Sequence, residues 1–166
     1  MPTIDPKDYG SAIPAETRVK IEKFAIDLLA RYQVATPPVP IDDMLRDPLL
    51  DLWDADSSKL SSSFGHGIFR YAPRLAEARL LYRAISESDA ARAAGLAAPW
   101  PATSREIKYF SRCLLLPEVW IRKLPESEQS VEAISEKFHV PPFDVIVRLG
   151  ELGLHIPDSS SIQSKG

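Results

Sequence analysis

Three histidines, one cysteine and scattered carboxylates are the groups in this chain that can hold a metal or activate a nucleophile. His66 stands in a glycine-rich stretch, His139 between two short apolar segments, and His155 near the end of the chain. His66 and His139 are consecutive histidines, so residues 67–138 contain none. Read singly, each is an ordinary surface or loop histidine. A metal site would have to be assembled from distant pieces such as His66, Glu106 and Cys113. Cys113 lies seven residues beyond Glu106, about two helical turns, and roughly shares its face. That face also carries Phe110 and Leu114, which reads Cys113 as a small buried hydrophobe. Ser86, Ser88 and Asp89 with a histidine would suggest nucleophilic catalysis, but there is no Gly-x-Ser-x-Gly elbow to expose such a serine.

The elements that must position these groups follow from apolar spacing and from proline. Ile21, Phe24, Ala25, Leu28, Leu29 and Tyr32 recur at threes and fours, which predicts a helix over residues 15–34. Pro37, Pro38 and Pro40 follow it, and Ile41 to Arg46 reads as a short helix closed by Pro48. Leu50 and Leu52, then Phe64, Ile68, Phe69 and Tyr71 around Gly65 and Gly67, predict short antiparallel strands between residues 49 and 71. Helical spacing returns from Arg74 to Ala94 and from Ser104 to about Leu116, where Pro117 interrupts it. Val119 to Lys123 continues as a further turn. Val131 to Phe138 and Pro142 to Leu152 read as a terminal helix pair, with Gly153 as its cap. The expected fold class is α+β: a mostly helical single domain over residues 15–155 with a small antiparallel sheet. Residues 1–14 read as an extension and 156–166 as a disordered tail.

Composition narrows the function classes. The chain has 166 residues, 45% hydrophobic and 26% charged, with a net charge of −3. That suits one core and gives no polyanion-binding surface. One cysteine excludes an internal disulfide framework. MPTIDPKDYG has no basic start followed by an apolar stretch, and no run approaches the roughly 20 apolar residues of a membrane span. A cytoplasmic protein is expected. Residues 59–103 carry 6 basic and 3 acidic groups, including Arg70, Arg74, Arg79, Arg83 and Arg92. This reads as a solvated helix face, with an acidic partner as the sharper alternative. The terminal helix pair resembles a DNA-reading pair only in outline, since its second helix offers a single base, Arg148.

Three stretches together resemble the ImmA/IrrE family of bacterial zinc metallopeptidase domains, over roughly residues 18–155. ATPPVPIDDMLRD follows an amphipathic helix as the approach to that family's sheet does. Glu106-Ile-Lys-Tyr-Phe110-Ser-Arg-Cys-Leu114-Leu115-Leu116-Pro117 is similar to its E-A-x-x-F-A-x-x-L-L-M-P signature. VEAISEKFHVPPFDVIVRLGELGL is similar to its terminal helices, ending R-L-x-x-L-G-L. The resemblance implies a zincin-like architecture whose chemistry rests on His-Glu-x-x-His, two histidines one turn apart holding zinc and a glutamate acting as base. It also implies that Glu106 occupies the position of the third ligand.

This chain departs from that pattern where the metal would sit. Placing Arg79 at the basic residue that opens the family's motif puts Ala84 and Ser88 at the histidine positions and Ile85 at the general base. No shift of register helps, because the whole interval 67–138 lacks histidine. Glu106 keeps two readings that can hold together: a vestigial ligand position, and the far end of a Thr103-Ser-Arg-Glu106 capping box. The expectation is a catalytically inactive relative, with no metal and no cofactor, that binds a protein or peptide such as a transcriptional regulator. The alternatives are a zinc-dependent peptidase with a rearranged site and a purely structural interaction module.

Overall fold

A computed structural model describes residues 13–47, 71–86 and 104–155. Helix α1 spans Ala15–Arg31 and buries Ile21, Phe24, Ala25, Leu28 and Leu29, the stripe set by the sequence spacing. It stops before the prolines: Gln33 takes a left-handed φ of 56°, and its N–H bonds the Ala30 carbonyl at 3.0 Å. Helix α2, Ile41–Arg46, buries Ile41, Met44 and Leu45. The Tyr32 hydroxyl lies 3.0 Å from the Met44 carbonyl and 2.9 Å from that of Asp47, which ties the end of α1 to α2.

Helix α3 spans Ala72–Ser86 and α4 spans Ser104–Leu115. Pro117, which has no amide proton to extend the ladder, follows α4 and precedes α5, Glu118–Arg122. A single 3₁₀ turn, Glu126–Glu128, leads to α6, Val131–Phe138, and α7, Pro142–Glu151. Ser130 caps α6 by accepting the Ala133 N–H at 3.1 Å. His139 ends α6 in the left-handed region, and Pro142 opens α7 where a missing N–H costs nothing. Gly153, at φ 66°, closes α7 while the Leu154 N–H returns to the Leu149 carbonyl at 2.9 Å.

Helix α4 is the central element, packed on α1, α3 and α7. Phe24 of α1, Tyr82 of α3 and Phe110 of α4 meet at its middle. Their rings lie 5.5 Å apart for Phe24–Phe110 and 4.8 Å for Tyr82–Phe110. Each such ring removes a large apolar area from water, and offset or tilted pairs add about 0.5–1.5 kcal/mol beyond that burial. Ser111, buried on the same helix, satisfies its hydroxyl by donating to the Ile107 carbonyl at 2.9 Å.

The expected fold class is corrected. The α+β class with a small antiparallel sheet, and with it the zincin-like architecture, gives way to a helical arrangement: no strand occurs among the described residues. The strand assignment rested on short alternating runs, which do not determine a period. The apolar faces of α1, α3 and α4 instead close on one another, and the aromatic contacts fill the space between them. Residues 49–70, where the strands were placed, lie outside the described residues, as do 1–12 and 156–166. Residues 87–94, into which the helix from Arg74 is expected to run, also lie outside the described residues. No described helix is long and apolar enough to cross a membrane.

Candidate functional site

The positions matched to a peptidase centre lie on α3 and α4. Ile85 is 1% exposed and belongs to the core, one turn beyond Leu81 and Tyr82. Ala84, beside it, is partly buried and packs on the same core. Ser88 lies outside the described residues. Glu106, in the first turn of α4, is 8% exposed, and its charge helps burial to raise the Tyr82 phenol above its usual value. Glu106 therefore lies near Tyr82 of α3. Thr103, the proposed capping partner, lies outside the described residues.

The other sequence candidates do not converge. Cys113 is fully buried, and that burial pushes its thiol up to about 12. Its charged surroundings are Arg148, Glu22, Glu151 and Arg112, whereas Glu106 sits by Tyr82. His139 stacks on Tyr71 with centroids 5.0 Å apart and planes 9° from parallel. His155 helps line a cavity of about 530 Å³ with Ile121, Ile134, Leu149 and Leu154, which includes none of the matched positions. His66 lies outside the described residues. Among the described residues, no three His, Cys, Asp or Glu side chains converge where a metal ion could be held.

The densest polar cluster was not singled out from the sequence. Arg148, 0% exposed on α7, donates from Nη1 to Glu22 Oε1 at 2.9 Å and from Nη2 to Oε2 at 3.2 Å. Its Nε donates to the Leu116 carbonyl at 3.0 Å, satisfying an acceptor at the end of α4. The Tyr109 hydroxyl donates to Glu22 Oε1 at 2.8 Å, and the Arg148 guanidinium lies 5.9 Å from the Tyr109 ring centroid. Beside it, Arg112 Nε donates to Glu151 Oε1 at 3.0 Å, and both side chains are buried. Burial works to raise the Glu22 carboxyl, but the Arg148 and Tyr109 bonds and the nearby Cys113 outweigh it, so the group sits below its usual range. Arg148 keeps its charge more firmly than a free guanidinium: burial opposes it, but Cys113, Glu22 and Tyr109 more than compensate.

This arrangement joins α1, α4 and α7, and every charge in it has an opposite partner. Chemically it is a structural tie: guanidinium and carboxylate groups of separate helices are bonded to one another. The available signal was a lone arginine within the apolar run Val145 to Leu149, where a cation is costly unless paired. Helix α7 therefore spends its only base on the interior. Comparison of the chain with known protein families, curated proteins and solved structures finds no match.

Proposed function

We propose that this chain is a non-catalytic relative of ImmA/IrrE-type peptidases that acts by binding a protein or peptide, in the manner of a regulatory module of the bacterial cytoplasm. The observation that carries the reading is Ile85, at the general-base position of the resemblance and sealed into the core at 1% exposure. A sec-butyl group neither holds a cation nor accepts a proton. The histidine-free interval 67–138 supports the same conclusion in any register. Glu106, in register with the third ligand and near enough to Tyr82 of α3 to raise its phenol, supports the kinship.

The test is metal analysis of protein purified without chelator, together with incubation with an unfolded protein substrate in zinc. The expected result is no stoichiometric zinc and no cleavage. One zinc per chain, or scission that a chelator abolishes, contradicts the proposal.

The absence of strands among the described residues favours a second reading, a helical interaction module that shares only packing habits with the peptidases. The triple replacement Ala84→His, Ile85→Glu and Ser88→His separates the two. Kinship predicts that this variant gains a zinc-dependent rise in Tm that Glu106→Gln removes; the module reading predicts no such response.

A further inference from the structure

The cavity of about 530 Å³ lies where α5, α6 and α7 meet the turn that follows α7. Its apolar wall is Ile121, Ile134, Leu149 and Leu154. The first three are buried members of the core, and Leu154 packs against that core. Packing of the helices therefore sets the wall in place before any ligand arrives. The volume falls within the range of small-molecule sites, about 300–1,000 Å³.

The polar lining is Arg122, Gln129 and His155, all exposed at the surface. Arg122 brings a full positive charge, and no carboxylate lines the cavity among the described residues. Its guanidinium is held from two sides: Nε donates to Glu118 Oε1 at 2.6 Å, and Nη2 to the Leu152 carbonyl at 3.3 Å. Nη1 has no hydrogen-bond partner among the described residues. The Glu118 pair spans one turn of α5 in contact with solvent, a kind of pair that contributes little and that a second anion can join. Gln129 is fixed by donating from Nε2 to the Leu124 carbonyl at 2.9 Å. An aliphatic wall with a cation at its edge matches an apolar chain that ends in an anion.

We propose that this cavity binds a small aliphatic monocarboxylate, its alkyl chain on the isoleucine and leucine wall and its carboxylate at Arg122. A peptide is a poorer match, because its backbone N–H and C=O groups each need a partner and the lining offers few polar groups. Ala84, Ile85 and Glu106 do not line the cavity, so the site stands apart from the peptidase kinship and does not depend on it.

Titration calorimetry with butanoate, hexanoate and octanoate, each below its micellar concentration and near neutral pH, tests the proposal. Burying two further methylenes should tighten binding by about tenfold at each step. Octylammonium, with the same chain and the opposite charge, should bind at least about tenfold more weakly than octanoate. Arg122→Gln should weaken octanoate by about tenfold and leave octanol unchanged; Arg122 is half-exposed, which puts its contribution at the low end for a charged hydrogen bond. Leu154→Trp, which fills the cavity from a partly buried position, should abolish binding of both. No binding of octanoate, an affinity indifferent to chain length, or equal binding of octanoate and octylammonium overturns the proposal. Tighter binding of N-acetyl-leucyl-leucine, which carries the same head group on a peptide, overturns it as well. Methyl NMR of the wild-type protein locates the site even if a variant fails to fold: octanoate shifts at Ile121, Ile134, Leu149 and Leu154 support it, and shifts confined to other methyls overturn it.

Discussion

Replacing Arg148 by methionine removes the cation that joins α1, α4 and α7 while keeping much of the side-chain volume. The variant leaves the Glu22 carboxylate with the Tyr109 hydroxyl but without its bidentate partner, and it strips the Leu116 carbonyl of its donor. Breaking one side of a buried ion pair costs about 3–5 kcal/mol. The Glu22 side chain retains 20% exposure and can recover some hydration, which places the cost near the lower end, about 3 kcal/mol. For a chain of this length that corresponds to a fall in Tm of about 6–12 °C. In urea, monitored by helical circular dichroism, it moves the midpoint down by about 1–2 M with little change in slope.

The paired replacement Glu22→Leu with Arg148→Met removes both charges and recovers most of the loss, because an apolar pair leaves neither ion stranded. The double-mutant cycle therefore carries a coupling of about 2 kcal/mol. An Arg148→Met protein within about 1 kcal/mol of wild type, or a coupling near zero, would show that this network does not hold the helices together.

Phe110→Ala opens a void beneath Phe24 and Tyr82 and costs about 3–5 kcal/mol by urea titration; a loss under about 1 kcal/mol would mean the core collapses around the gap. Cys113, buried and with its thiol pushed up to about 12, should resist a disulfide reagent at pH 8 until denaturant is added; fast labelling of the native protein contradicts this burial. Stability should peak in the mildly acidic range, as read by urea midpoints from pH 3 to 8. The Glu22 contribution, from a lowered carboxyl, is present above about 4.5 and is lost as pH falls through its folded value. The Glu77 contribution, from a raised carboxyl, is complete below about 4.5 and is lost as pH rises through about 7. A midpoint that climbs steadily to pH 8 refutes this pairing of signs.

Most helices were legible locally. The α1 stripe, the bounds of α2 and α6, the stop at Pro117 and the cap at Gly153 depend on 3.6-residue spacing and on the special backbones of proline and glycine, all of which act within a few residues. The sheet of the expected fold class is not found among the described residues, and the short alternating runs between glycines and serines on which it was placed lie outside them. The candidate site was legible as an absence: a histidine-free interval needs no coordinates.

What tertiary structure alone decided is which charges meet. Glu22 and Arg148 are 126 residues apart, and nothing in the neighbourhood of either names the other. Glu77 likewise reads as an ordinary helix acid in the sequence, yet burial and the charge of Asp42 raise its carboxyl to about 7. Helical periodicity is written in the spacing of adjacent residues. The partner and protonation of a buried charge depend on desolvation by distant parts of the chain, and those come together only when the helices pack.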